Sequence, residues 1–399
     1  MPTGLFFNLP SPGHINPTLP VVDALVRKGH RIAYYLTDPF RQLVESVGAE
    51  FRSYGESYAY IHPEAHGNPL RLADILAGST EAILESCLAD VQALAPNYVV
   101  YDAMCPWGRH VGELLGIPQV SSFSMFSFNG SSVFANLRLD RTTLRQTREG
   151  ASAFMRYRRT VRRLRRKFGL GPIRFLDAFS SKGQINLIYS SLDFHPYAST
   201  LDDSFRFVGP ALGKRTEPPF DLSRLPRTRP LVYVSTQTAL HDFRYFHPLC
   251  AEGLQHTDAT VLVSAGLSSN LEEFETIPEN FIVERFLPQL QILDHADVFI
   301  TAGGLSSVVE ALYFAVPLIV IPQSIDHEIV GKRVQEVGAG IVLSHERLTA
   351  ERLRETVDKV LGTQELSLKA ARMSDSLRRA GGAESAALEI SKLIGESTS

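Results

Sequence analysis

The strongest constraint on the fold is an alternation of strand, turn, helix and strand at the start of the chain. GLFFNL is a short apolar run typical of a buried strand, and PSPGHINP indicates a turn. LPVVDALVRKG then has apolar residues spaced by three and four and ends in Gly29, a signal for a helix end. HRIAYYLT is the next strand, and this alternation implies a parallel sheet. A second unit is predicted at NYVVYDAM, a strand that ends in Asp102, followed by a helix and the strand IPQVSSFS.

The same alternation begins again past the middle of the chain. RPLVYVSTQT, ATVLVSAG and FIVERFLP are predicted strands, and DVFITAGGLSSVVEALYFAVPLIVIPQ contains a strand, a glycine turn, a helix and a strand. Between the halves, GPALGKRTEPPFDLSRLPRTRP is rich in proline and charge, which is typical of a linker. We therefore predict two Rossmann-like α/β domains, residues 1–213 and 214–383, with a last helix at about 384–394 that packs back on the first domain.

Length and composition agree with a globular protein of two domains. The chain has 399 residues, of which 44% are hydrophobic and 21% charged, and its net charge of -3 gives no general attraction to nucleic acid. Cys87, Cys105 and Cys250 are far apart, so we expect reduced thiols and a cytoplasmic protein. The N-terminus lacks the basic region of a signal peptide, and no apolar run approaches the roughly 18 residues of a membrane span.

A glycine turn, GGLSS at residues 303–307, lies between the predicted strand DVFIT and the following helix. Two glycines allow a tight turn, and the N–H groups at the start of a helix bind anions. Ser306 and Ser307 add hydroxyl donors. An ordinary strand-to-helix turn capped by serine explains the same residues, so both interpretations stay open.

A histidine and an aspartate follow two predicted strands of the first half. His14 lies just after the first strand, and Asp102 ends a later one, at the sheet edge where open α/β sheets bind ligands. A carboxylate beside an imidazole fixes its tautomer and raises its basicity, as a general base requires. Alternatively, His14 packs its own loop and Asp102 caps the next helix.

Two further segments have both a functional and a purely structural interpretation. SIDHE at 324–328 follows a strand and has groups that hydrogen-bond a polyol, but Ser324 or Asp326 is also a common helix N-cap. FMRYRRTVRRLRRKFGL at 154–170 has Arg156, Arg159, Arg163 and Arg166 at helical spacing. These arginines form either a solvated helix face or a contact for an anionic acceptor, a peripheral membrane surface or a partner.

Taken together, the segments resemble the nucleotide-sugar-dependent glycosyltransferases of the GT-B fold, a family that includes plant secondary-metabolite and bacterial macrolide enzymes. The resemblance runs nearly end to end, from GHINPTLPVVDALVRKGHRIAY through FLPQLQILDHADVFITAGGLSSVVEAL to VPLIVIPQSIDHEIVGKRVQEVGAGI. It implies two parallel sheets that face each other across a cleft, and inverting transfer of a sugar from a nucleoside diphosphate, most often UDP, to a hydroxyl of an apolar small molecule. His14 matches the general base of the family, and Asp102 matches its carboxylate partner.

The resemblance also implies a donor-binding set in the second half of the chain. Its members match contacts to base, ribose, diphosphate or sugar, and they are Ser235, Gln237, Thr238, Phe286, Leu287, Gln289, Gly304, Leu305, Ser306, Ser307, Glu310, Asp326 and His327. Phe286 matches an aromatic that stacks on uracil, and Glu310 matches the residue that holds the ribose hydroxyls. Asp326 and His327 match the pair that binds the sugar hydroxyls.

Within that set, Leu287 and Gln289 match positions that flank the base and the ribose. Ser307 matches a phosphate contact, assisted by the backbone N–H groups of Gly304 and Leu305. The nucleotide sugar is a co-substrate, so no cofactor is expected, and without an Asp-x-Asp motif or a histidine cluster no metal site is expected either.

Three departures from the family pattern lie on the donor side. Ala302 stands where the family has a histidine that contacts the diphosphate, Gln237 replaces a glycine in STQT, and His327 replaces a glutamine. They raise an alternative, a GT-B-fold protein that no longer transfers sugar. Such a protein acts as an auxiliary partner of a true transferase, or uses His14 and Asp102 for another proton transfer. We expect transfer, with the Gln237 amide taking over the missing contact.

Overall fold

A computed structural model describes residues 1–58, 68–127, 141–213, 215, 219–225, 228–236, 246–266 and 277–396, with residues 141–147 described by their backbone alone. The chain divides into two compact units. The first consists of Met1–Tyr189, Tyr197–Lys214 and Ala380–Ser399, and the second of Ser190–Pro196 and Arg215–Arg379.

The strands and helices of the described residues alternate along the whole chain. In the first unit they are β1 (Thr3–Phe7), α1 (Pro12–Ile15), α2 (Leu19–Arg27), β2 (Arg31–Leu36), α3 (Arg41–Glu45), β3 (Glu50–Ser53), α4 (Pro69–Ala93), β4 (Tyr98–Asp102), α5 (Pro106–Leu115), β5 (Gln119–Phe123), α6 (Arg141–Phe168), β6 (Ile185–Ile188) and β7 (Phe205–Phe207). In the second unit they are β8 (Leu231–Ser235), α7 (Phe246–Leu254), β9 (Thr260–Ser264), β10 (Phe281–Glu284), α8 (Gln289–Leu293), β11 (Val298–Thr301), α9 (Leu305–Tyr313), β12 (Leu318–Val320), α10 (Ile325–Glu336), β13 (Gly340–Val342), α11 (Ala350–Gly362) and α12 (Gln364–Arg379). The final helix, α13 (Gly382–Leu393), belongs to the first unit.

Each unit is built on one sheet whose strand pairs are all parallel. The first sheet has the order β3-β2-β1-β4-β5-β6-β7, and the second has the order β10-β9-β8-β11-β12-β13. All five residues of β4, β8 and β9 are buried, as expected for strands of a parallel sheet covered by helices on both faces. The predicted fold class, two α/β domains with parallel sheets, is confirmed.

The strand orders create a switch point in each sheet. The chain moves outward from β1 to β3, then returns to place β4 on the other side of β1, and β8 and β11 repeat this pattern. The connections that leave β1 and β4 therefore diverge at the carboxyl edge of the sheet, where open α/β sheets bind ligands. The loops after β1, β4, β8 and β11 are therefore the candidate ligand-binding loops.

Local sequence signals explain where several elements begin and end. Gly29, just after α2, has φ +88°, a left-handed conformation that glycine adopts without strain. The Asn68 side chain accepts hydrogen bonds from the N–H groups of Leu70 and Arg71 and so caps α4. The predicted turn PSPGHINP was wrong in one detail, because it contains the one-turn helix α1, with proline at its first position.

The C-terminal helix α13 packs against α2 in the first unit. Arg27 of α2 donates to Glu384 over 2.6 Å, and Arg206 of β7 donates to Glu389 over 2.8 Å. Just beyond α13, Glu396 lies 3.1 Å from the His30 ring. Within the described residues, no helix combines the length and apolarity needed to cross a bilayer.

Candidate functional site

The first candidate site lies at the switch point of the first sheet. His14 is held there by its backbone, because the Asn8 side-chain amide donates to the His14 carbonyl over 3.0 Å. The same amide donates to the hydroxyls of Thr18 and Tyr34, at 3.2 Å and 2.9 Å, both of which are buried. This network fixes α1 to the end of β1 and thereby sets the position of the His14 ring.

His14 and Asp102 meet at this edge. His14 Nδ1 lies 2.8 Å from Asp102 Oδ2, and the side chains are 17% and 1% exposed. The backbone N–H of Met104 donates to the other carboxylate oxygen over 2.8 Å. When Nδ1 donates its proton to the carboxylate, the neutral ring is in the tautomer whose Nε2 carries the lone pair. The pair therefore has the arrangement of a general base with its orienting carboxylate.

Ser124 completes this cluster and was missed from the sequence. Its Oγ lies 2.7 Å from His14 Nδ1 and donates to Asp102 Oδ2 over 3.2 Å. Ser124 directly follows β5, which pairs with β4. In this pair, Ser122 of β5 is aligned with Asp102 of β4. The available signal was that IPQVSSFS also ends at the carboxyl edge.

The glycine turn lies at the switch point of the second sheet. β8 ends at Ser235, which is aligned with Thr301 at the end of β11, so the predicted Ser235 is adjacent to the turn. Gly304 is the N-cap of α9 and supplies no side chain, and Leu305 is the first helical residue. The N–H groups at the start of this helix are aligned as an anion site would require.

Gly303 is the turn residue that the fold requires to be glycine. Its φ is +96°, and a Cβ added there would lie 2.6 Å from Val320 Cγ1. Gly303→Ala is therefore expected to lower the free energy of unfolding by about 1–3 kcal/mol in urea denaturation. Gly304→Ala is the matched control, because at Gly304 the nearest atom to an added Cβ is 4.0 Å away. Equal losses from both substitutions would contradict this explanation of the turn.

The next group of predicted residues is linked by hydrogen bonds. The Gln289 amide donates to Glu310 Oε2 over 2.6 Å and to Ser307 Oγ over 3.4 Å. Arg215 forms an ion pair with the Glu310 carboxylate through both terminal nitrogens, and these side chains are 12% and 5% exposed. Arg215 was missed from the sequence, where it stood among the charged residues of the linker. Both carboxylate oxygens of Glu310 are therefore already paired within this buried polar cluster.

The other predicted donor residues are spread along the same edge. Phe286 is half-buried and Leu287 is buried, both between β10 and α8. Ser306 is half-buried in the first turn of α9. Asp326 is 54% exposed, and His327 beside it is 22% exposed, in the first turn of α10.

Of the three remaining donor-side positions, the structure describes only Ala302. Ala302 is buried at the start of the glycine turn. Gln237 and Thr238 lie outside the described residues, so the proposed compensation by Gln237 stays a prediction.

The basic helix α6 divides into two sets of side chains. Three of them pair with α4: Arg156 with Asp74 at 2.7 Å, Arg163 with Glu81, and Lys167 with Glu85. Each pair joins residues 82 positions apart, so α4 and α6 run parallel. A second set, called here the arginine stripe, is exposed and makes no ion pair within the described chain; its members are Arg158, Arg159, Arg162, Arg165 and Arg166. At 100° per residue the stripe covers about 120° of the helix.

Comparison with known proteins identifies the family to which this chain is similar. The model of the erythromycin biosynthesis protein CIII-like C-terminal domain matches residues 250–389. NDP-glycosyltransferase YjiC of Bacillus licheniformis is 32% identical, over 97% of this chain and 96% of that protein. The protein of the same name from Bacillus subtilis is 31% identical, over 98% and 97%.

Solved structures agree with the fold. The glycotransferase of kitacinnamycin has a TM-score of 0.86 at 24% identity and covers 99% of this chain and 100% of its own. CalG4, the calicheamicin glycosyltransferase, has a TM-score of 0.80 at 24% identity, with both chains covered in full. Both likenesses concern the fold alone. The near full-length relatives carry the assignment: this chain is a glycosyltransferase and belongs to the GT-B-fold family of NDP-sugar-dependent glycosyltransferases.

Proposed function

We propose that the chain is an inverting glycosyltransferase that moves a sugar from a UDP-type donor to a hydroxyl of an apolar small-molecule acceptor. The observation that carries the proposal is the 2.8 Å contact between His14 Nδ1 and Asp102 at the switch point of the first sheet. Relatives named for demethyllactenocin, oleandomycin and zeaxanthin support a natural-product acceptor. We place the reaction in the cytoplasm, where the three buried free thiols stay reduced.

In the proposed reaction, His14 Nε2 takes the proton of the acceptor hydroxyl as its oxygen forms a bond to the anomeric carbon. The bond from that carbon to the diphosphate oxygen breaks, and UDP leaves with the electron pair. Attack opposite the leaving group inverts the anomeric centre. Asp102 stabilises the imidazolium that forms, and the N–H groups at the start of α9 stabilise the negative charge on the diphosphate. No cofactor takes part, since the nucleotide sugar is a co-substrate.

The alternative of a protein that no longer transfers sugar rests on the changes at Ala302, Gln237 and His327. Losing one charge-assisted contact costs about 1.5–3 kcal/mol, or roughly 10–100-fold in affinity. The second unit keeps Ser307, Gln289 and Glu310 together, which supports retained donor binding. The relatives that this chain matches are named glycosyltransferases, so the comparisons do not favour the alternative.

The reaction is tested by incubating the protein with UDP-glucose and a panel of phenolic and macrocyclic alcohols. Mass spectrometry is expected to find an acceptor that gains one hexosyl group, and NMR is expected to find a β-linked product from the α-linked donor. An α-linked product would contradict inversion. Product formation by His14→Ala at the wild-type rate would contradict the assignment of His14 as the base.

We propose, separately, that the arginine stripe attracts an anionic group, carried either by the acceptor or by a lipid headgroup. Five guanidinium groups on one exposed face, without acidic partners on the described part of the chain, support this proposal. Such an attraction is long-range at low salt and is screened within about 10 Å at 0.1 M salt. The ion-paired residues of the same helix offer a matched comparison.

Replacing all five stripe arginines by glutamine is expected to abolish co-sedimentation with phosphatidylserine vesicles at low salt, or to raise KM for an acidic phenol but not for a neutral one. The first result identifies a lipid headgroup and the second an acceptor. Glutamine at Arg156, Arg163 and Lys167 should change neither measurement. If the stripe variant matches wild type in both assays at every salt concentration, the stripe is a solvated face.

A further inference from the structure

Resting on the proposed function, we propose that His327 contacts the donor diphosphate and supplies the imidazole that is absent at Ala302. The resemblance assigns position 327 to the sugar hydroxyls. The structure instead places the His327 side chain against the glycine turn, which directly follows Ala302. The imidazole ring would then contact the diphosphate from α10, the helix that follows the neighbouring strand β12.

The first step of the argument is proximity. His327 lies in the first turn of α10, which follows β12, and β12 is the neighbour of β11 in the sheet. An ideal Cβ built on Gly303 would lie 3.6 Å from the His327 Cβ, and one built on Gly304 would lie 4.0 Å from the His327 Nε2. Because both glycines lack a side chain, the imidazole reaches the start of α9.

The second step concerns hydrogen bonding. The Nδ1 atom of His327 is buried and has no partner among the described residues, and Nε2 lies 3.8 Å from the nearer Asp326 oxygen, beyond hydrogen-bond distance. Gln323, in the same connection after β12, has both amide atoms buried without a described partner. Buried polar atoms are normally paired, and an unpaired one is costly. Nε2, the ring atom that reaches the turn, has no described hydrogen-bond partner and is available to a polar ligand there.

The third step identifies the diphosphate as that ligand. The backbone N–H groups at the start of α9 carry partial positive charge, so the ring lies beside a place that favours anions. Burial holds the pKa of His327 below its usual value, and the Asp326 carboxylate offsets this only in part. An imidazole N–H donating to a phosphate oxygen makes a charge-assisted bond, which is stronger than one to a neutral sugar hydroxyl. Asp326, which is more exposed, remains available for the sugar.

The test is calorimetric titration of uridine, UMP, UDP and UDP-glucose into wild type and His327→Ala. UDP affinity is expected to fall by about 10–100-fold, the span of one charge-assisted hydrogen bond. Uridine affinity should not change, and UDP-glucose should lose the same factor as UDP. Adding Ala302→His to the His327→Ala variant should restore UDP affinity, because it returns an imidazole to the same turn.

His256→Ala is the matched control, because His256 is exposed and precedes β9, at the opposite edge of the same sheet. A loss confined to UDP-glucose would overturn the proposal and return His327 to the sugar. Equal losses for uridine and UDP would show a structural role and would also overturn it. Failure of wild type to bind UDP would contradict the proposed function itself, which separates the two claims.

Discussion

Replacing His14 by alanine is expected to lower turnover by about 10²–10⁴-fold, the usual contribution of a general base. The reason is that no other imidazole in the described structure contacts Asp102, which already holds Nδ1 at 2.8 Å. Binding of UDP should be nearly unchanged, because the proposed donor residues all belong to the second unit. Single-turnover rates and calorimetry on the same preparation measure the two quantities.

Two variants of the partners of His14 refine this expectation. Asp102→Ala should cost less than His14→Ala, because the carboxylate orients the ring and stabilises its charge without itself transferring the proton. Ser124→Ala removes one hydroxyl that donates to Asp102 and should have the smallest effect of the three. Wild-type turnover in His14→Ala would show that the base has been assigned wrongly.

Replacing Arg215 by methionine is expected to lower the free energy of unfolding by about 3–5 kcal/mol, the cost of breaking a buried ion pair by removing one partner. Glu310 is 5% exposed, so its carboxylate would remain buried with the Gln289 amide as its remaining described donor. The loss should appear in urea denaturation followed by near-ultraviolet circular dichroism.

The double variant Arg215→Met with Glu310→Leu separates pairing from packing. It removes both charges, so it should recover most of the stability lost in Arg215→Met. It should not recover UDP binding if Glu310 holds the ribose. Arg224→Met is a control for the loss of an exposed ion pair, with Glu284, and should cost at most about 1 kcal/mol. An Arg215→Met protein as stable as wild type would contradict the account of this cluster.

The sequence predicted the features that depend on local pattern. Apolar runs identified nine of the thirteen described strands, including the central strands of both parallel sheets, and the carboxyl edge followed from them. The short strands β3, β6, β7 and β13 were not predicted. Strand order placed His14 and Asp102 at one edge of the sheet but left open whether they contact each other. The resemblance matched them to a general base and its carboxylate partner. The choice of Gln289, Ser307 and Glu310 as donor-site residues came instead from the family resemblance, and the hydrogen bonds among them were not predicted.

The missed features depend on side-chain orientation and on contacts between residues far apart in sequence. Ser124 lies 110 residues from His14, and Arg215 lies 95 residues from Glu310, so no periodicity connects them. The segment Ser190–Pro196 joins the second unit, where Arg333 donates to the carbonyls of Asp193 and Phe194 at 2.7 Å and 2.9 Å. Such contacts follow from tertiary packing, which composition and spacing do not encode.

The basic helix shows the same limit. Its charge density was evident from the sequence, but the acidic partners of Arg156 and Arg163 lie on α4, 82 residues earlier. Only the packing of the two helices divides the arginines into a paired set and the arginine stripe. A prediction that treated Arg163 and Arg166 alike could not make this distinction.

The central claim, that this glycosyltransferase uses a nucleoside diphosphate sugar despite its altered donor positions, is tested most directly by titrating UDP, TDP and GDP into the wild-type protein in a calorimeter. The account predicts micromolar binding of UDP that is tighter than binding of the other two nucleotides, and that is weakened by Glu310→Leu. Absence of binding by all three nucleotides would contradict the claim.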